Sequence, residues 1–82
     1  MPSSYALSIA SAEKSYRAAT FADPTFASAF YNLGLLLELH RGGGAEVVEE
    51  AEACYRRTLQ LEPANANALS NLGALLKDAH QR

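Results

Sequence analysis

Along the chain, apolar residues recur every three or four positions and nowhere alternate strictly, which is the pattern of helices that each bury one face. The first such run spans about Ser4 to Ala22 and carries Tyr5, Ile9, Ala12, Tyr16 and Ala19 along one side. Pro24 ends it, because the residue before a proline is driven out of the helical region. A second helix is predicted from about Thr25 to His40, with Ala29, Phe30, Leu33, Leu36 and Leu37 facing a core. Gly42, Gly43 and Gly44 then break the chain, since successive glycines maximise the backbone entropy lost on continuing a helix. The third helix is predicted from about Ala45 to Leu61, apolar along Val48, Ala51, Tyr55, Thr58 and Leu59. Its first turns hold Glu46, Glu49 and Glu50, where carboxylates complement the positive end of the helix dipole. After Pro63, Asn65 is placed to cap a fourth helix, from about Ala66 to His80. Four helices joined by short turns must bury their stripes against one another. The predicted fold class is therefore all-α: an array of antiparallel helical hairpins forming a single domain over residues 1–82.

Sliding the chain along itself reveals an internal repeat. One shift lays Asn32-Leu33-Gly34-Leu35-Leu36-Leu37 on Asn71-Leu72-Gly73-Ala74-Leu75-Leu76. The same shift carries Asp23-Pro24 onto Glu62-Pro63, Tyr16 onto Tyr55, Ala12 onto Ala51, and Ala27 and Ala29 onto Ala66 and Ala68. Agreement at one offset over nearly the whole chain marks a repeat architecture, in which each unit buries its apolar face against its neighbours.

The repeated residues resemble the tetratricopeptide repeat family, and the likeness covers nearly the whole chain. The family's unit is a helix pair with a large residue and Leu-Gly in the first helix, then small, aromatic and small residues in the second, then a proline. Gly34 as the family glycine puts Phe30 at the large position, with Leu33 beside it and Leu37 three further on. Counting back from Pro63 gives Ala51, Tyr55 and Thr58 for the second helix, and counting back from Pro24 gives Ala12, Tyr16 and Ala19. Leu69, Leu72, Gly73 and Leu76 repeat the first-helix pattern. Glycine at Gly34 and Gly73 costs about 1 kcal/mol against alanine within a helix, and close approach of a neighbouring helix is the expected compensation. Tyr16 and Tyr55 are expected to fill the space between successive hairpins.

Two departures from the family pattern stand out. The period, from Asn32 to Asn71, is longer than the family's unit of about 34 residues, and the excess falls in the turn around Arg41 to Val47. A lengthened, glycine-bearing turn is also similar to Sel1-like repeats, but the closing Ala22-Asp23-Pro24 and Leu61-Glu62-Pro63 favour the tetratricopeptide reading. The phase is also shifted. The chain holds a second-type helix, one complete unit over about 27–63, and a first-type helix.

The resemblance implies a concave groove, lined by first-type helices, that receives an extended peptide or a helix of a protein partner. Carried over residue by residue, that face comprises Ser28, Tyr31, Asn32, Leu35, Glu38 and Leu39 on the second helix. On the fourth helix it comprises Asn67, Ser70, Asn71, Ala74, Lys77 and Asp78. Tyr31, Leu35 and Leu39 form an apolar stripe beside the core stripe and are expected to be exposed in the groove. Asn32 and Asn71 either bond a ligand's backbone or serve local capping and solvation. Family members that grip a C-terminal carboxylate use a lysine and an asparagine where this chain has Tyr31 and Leu35, so recognition of that type is not expected. The alternative function is structural: a repeat array without polar end caps exposes complementary faces, which predicts a head-to-tail or helix-swapped oligomer. Lys77, Asp78, Gln81 and Arg82 partly polarise one end.

Composition narrows the picture further. A chain of 82 residues with one cysteine, Cys54, has no internal disulfide, and its start lacks a basic segment followed by an apolar one, so an intracellular, cytoplasmic location is expected. The net charge of −2 provides no drive towards nucleic acid, and the apolar stretch Leu33–Leu37 is far too short to span a membrane. No enzymatic activity, cofactor or metal is expected. His40 and His80 sit near helix C-termini without a Cys, Asp or Glu at ligand spacing, and read as capping residues. Cys54 reads as a buried or half-buried thiol with no histidine to activate it. The three glycines lack the Lys-Ser/Thr of a phosphate loop. Glu46, Glu49, Glu50 and Glu52 read as a solvated helix start, or else as a dock for a basic partner.

Overall fold

A computed structural model describes residues 4–40, 42 and 44–80. Its elements are α1 (Ser4–Ala22), α2 (Ala27–His40), α3 (Ala45–Leu61) and α4 (Ala66–His80), with no strand among the described residues. Arg41, Gly43, Gln81 and Arg82 lie outside them, so the broken turn is seen only at Gly42 and Gly44, and the polarised end only at Lys77 and Asp78.

The turn before α2 shows why that helix starts two residues later than the periodicity suggests. The Asp23 carboxylate accepts hydrogen bonds from the Thr25 backbone N–H at 3.0 Å and from its hydroxyl at 2.7 Å. Such an Asx turn competes with helical bonding and holds Thr25 in the turn with Pro24. The two proline turns are backbone copies of each other. Asp23 N–H donates to the Ala19 carbonyl and Phe26 N–H to that of Asp23; in the second repeat, Glu62 N–H donates to Thr58 and Asn65 N–H to Glu62. They differ in the cap. Asn65 Oδ1 accepts from the Ala68 N–H at 2.9 Å, whereas Phe26, in the equivalent position, has no side-chain acceptor to offer. Gly42 closes α2 at a φ of +84°, a left-handed conformation that costs glycine nothing.

Consecutive helices pack on each other, α2 with α3 most extensively. They run antiparallel. Tyr5 at the start of α1 meets His40 at the end of α2, and Arg57 late in α3 reaches the Pro24 carbonyl just before α2. Leu33, Leu37, Ala51, Cys54, Tyr55, Leu72 and Leu75 form one core cluster, and Tyr55, Leu37 and Thr58 are the largest of the fully buried side chains. The Thr58 hydroxyl is satisfied by donating to the Cys54 carbonyl at 2.9 Å. Gly34 makes the α2–α3 packing possible: a Cβ there would stand 3.0 Å from the Cys54 Cβ and 3.0 Å from the Tyr55 ring. The expected close approach is therefore present at Gly34. At Gly73 it is absent: among the described residues no neighbouring helix comes within 4 Å of where its Cβ would stand, and the residue is exposed.

α1 contributes no buried residue. Ile9, Ala12, Tyr16 and Ala19 of its stripe are half-buried and Tyr5 is exposed. Polar contacts add to its hold: Arg17 makes a two-pronged bond to the Glu50 carboxylate of α3, with Nη2 to Oε1 at 2.9 Å, and a second bond to Glu13. The acidic start of α3 is thus not simply solvated. Glu50 is an anchor for α1, and Glu52 pairs with Arg56 at 2.9 Å. The molecule measures 40 × 34 × 18 Å.

Candidate interaction face

The residues assigned to the groove fall on two helices, and the structure joins some of them directly. Asn71 Nδ2 on α4 donates to the Tyr31 hydroxyl on α2 at 3.0 Å. Beneath that bond the Tyr31 and Tyr55 rings pack with centroids 6.0 Å apart, tilted by 47°. The Tyr55 hydroxyl in turn donates to Glu38 Oε1 at 2.6 Å. One network thus runs from α4 through α2 to the buried tyrosine of α3. It fixes the Asn71 amide and the Tyr31 hydroxyl to each other, so Asn71 serves a local contact.

Burial pushes the Tyr55 phenol well above its ordinary range, and its bond to the Glu38 carboxylate reinforces the shift. Burial likewise raises the neighbouring Cys54 thiol to about 11, with the Glu50 charge adding to it and Arg17 opposing. A thiol held protonated in this way is a packing residue, as its sequence context suggested.

The apolar stripe is only partly open. Leu39 is 64% exposed, while Tyr31 and Leu35 are half-buried. The expected exposed stripe is therefore corrected to a single exposed leucine at the lip of a cleft. Asn32, Leu35 and Leu39 line that cleft with Leu36, His40 and Tyr16 of α1, about 180 Å³ in volume. His40 does not simply cap α2, because its Nδ1 is bonded to the Tyr5 hydroxyl at 2.9 Å with the rings edge to face. The His80 side chain lies outside the described residues. Asn67, Ser70 and Lys77 are exposed along α4.

A larger cleft of about 310 Å³ opens between the end of α2, the start of α3 and the end of α4. Val47, Val48, Ala51 and Leu75 form its apolar lining, with Glu38 and Asp78 contributing carboxylates, and Gly42 and Ala79 completing it. The groove face expected from the sequence includes Glu38 and Asp78 but not Gly42, Val47, Leu75 or Ala79, and it assigns Val48 and Ala51 to the core stripe instead. The available signal is the Val47-Val48 pair in the first turn of the helix after the glycines: antiparallel packing brings a helix start beside the two neighbouring helix ends. No group of His, Cys, Asp and Glu side chains among the described residues is arranged to hold a metal ion, and none of the described helices is long and apolar enough to cross a membrane. No family model, curated protein or solved structure matches this chain.

Proposed function

We propose that this chain is a protein-interaction module of the tetratricopeptide type, whose α2–α4 face receives a peptide or helix of another protein. The supporting observation is the 310 Å³ cleft, apolar within and carrying Glu38 and Asp78. An apolar recess with a few convergent polar groups is the usual form of a recognition site. Two carboxylates beside aliphatic walls suit a lysine or arginine, whose methylene stem is buried while its head stays at the charged rim. The preferred ligand is accordingly a short segment with a basic residue next to an apolar one. The internal repeat and its two equivalent proline turns support the family reading. The carboxylate-gripping set is not proposed, since Tyr31 and Leu35 stand where it would need its lysine and asparagine.

A panel of short peptides varying in basic and apolar content tests this by amide chemical-shift mapping. Basic-apolar peptides should shift Glu38, Val48, Leu75 and Asp78, and Asp78→Lys should weaken them at least ~10-fold, since each tenfold corresponds to about 1.4 kcal/mol. Acidic peptides binding equally well, or shifts confined to other residues, would refute the assignment.

A further inference from the structure

The repeat provides an internal control that compares each residue with its copy in the other half of the chain. Gly34 is buried under Cys54 and Tyr55, whereas Gly73 is exposed with nothing near its Cβ position. Leu37 is 2% exposed and its copy Leu76 is half-buried; Ala27 is 7% exposed and its copy Ala66 lies open. The same comparison on the other helix type gives the complementary result. Ala51, Tyr55 and Thr58 of α3 are fully buried and Cys54 nearly so. Their copies on α1, Ala12, Tyr16 and Ala19, are half-buried, and Ser15 is exposed. Residue type is nearly constant across each pair, so the difference is one of coverage. In the α2–α3 interface, α3 covers α2. No helix among the described residues covers α4 in that way, and α1 covers none in that way.

We infer that a second copy of this chain docks its α1 on the open face of α4, reproducing between molecules the packing of α3 on α2. The occupant is argued from continuity with the interface already present. Tyr16 of the second copy takes the place of Tyr55 and lies over Gly73 as Tyr55 lies over Gly34. Ser15, smaller than a leucine or an aromatic residue as Cys54 is, passes against the same glycine. Lys77 stands where Glu38 stands, and its ammonium donates to the Tyr16 hydroxyl as that hydroxyl's counterpart donates to Glu38. A net charge of −2 per chain opposes such stacking only weakly. The contact is heterologous, because it joins two different faces, and each docked copy presents a fresh α4. Association is therefore head-to-tail and open-ended. It uses a surface distinct from the Glu38–Asp78 cleft, so the two proposals fail separately.

Two substitutions on exposed positions separate the two faces. Gly73→Arg fills the α4 face, and Ser15→Arg fills the α1 face; both sites are open in the single chain, so circular dichroism should report unchanged helicity. Sedimentation equilibrium of the unaltered chain, from micromolar to millimolar, should give an average mass rising past that of two chains. Each variant alone should associate at least ~10-fold more weakly, or about 1.4 kcal/mol. Mixed in equal amounts, the variants should form a species of two chains and nothing larger, because one intact α1 meets one intact α4. A chain that stays monomeric at millimolar concentration, a variant that assembles as tightly as the unaltered chain, or a mixture that remains monomeric each overturns the inference.

Discussion

Gly34 and Gly73 occupy the same place in the repeat and yet should respond in opposite ways to the same substitution. At Gly34 the added methyl would press on the Cys54 Cβ, which can move only with its helix, and on the wholly buried Tyr55 ring. Overpacking of about 1–3 kcal/mol exceeds the gain of about 1 kcal/mol from alanine's helix propensity, so Gly34→Ala should destabilise the chain. At Gly73 nothing opposes the propensity, and Gly73→Ala should stabilise by up to about 1 kcal/mol. Urea unfolding at low micromolar concentration reads both signs. Beside Gly34, Cys54 makes stability depend on alkaline pH. Its folded-state pKa is raised, so below about pH 9 both folded and unfolded chains keep the proton and the contribution is complete. Above that the unfolded thiol ionises while the folded one holds on to about pH 11, and stability falls through the window. Tyr55, shifted in the same direction, extends the loss to still higher pH. Cys54→Ala should flatten the first part of that decline; an unfolding midpoint that stays level to pH 11 in the unaltered chain would contradict the burial argument.

At the level of helices, caps and anchors differ more than the periodicity implies. Asn65 caps α4, and Asn65→Ala should cost about 1 kcal/mol, whereas Phe26 leaves α2 without that cap. Placing asparagine at Phe26, which is 48% exposed, should recover about 0.5–1 kcal/mol of it. α1 buries no residue, so amide exchange should be fastest there and slowest in the facing halves of α2 and α3. Arg17→Ala should cost under about 1 kcal/mol, because the Glu50 pair lies at the surface with both side chains more than a third exposed. The order and type of these elements were legible in the chain, since prolines, glycines and a three-to-four spacing are local signals. The start of α2 was not, because the Asp23 side chain competes for Thr25 over a distance that apolar spacing does not register. The Tyr31–Asn71, Tyr55–Glu38 and Arg17–Glu50 contacts were equally hidden. Each depends on the axial offset between two helices, which a pattern along one helix does not encode. The groove face was read by matching positions, and matching could not show that Leu35 and Tyr31 are half covered while Leu39 stands open.

As a whole, the molecule is 18 Å in its shortest dimension, less than two helix diameters of about 10–12 Å. Every helix therefore keeps one side in water, and only a few side chains, Tyr55, Leu37 and Thr58 foremost, are fully enclosed. Tyr55→Ala, which empties the centre of that enclosure, should cost about 3–5 kcal/mol, a large share of what so short a chain can hold, and thermal unfolding should show much of the protein already melted. The turn that holds Gly42 has a further consequence. Residues before it form α1 and α2, residues after it form α3 and α4, and the two portions are copies of one repeat. As a tether, it presents one copy to the other at a millimolar-scale effective concentration. Cutting the backbone within that turn would convert the α2–α3 contact into a bimolecular equilibrium between two split halves. They should reassemble when mixed and part on dilution, and titrating one against the other would give the strength of a single repeat-to-repeat junction directly.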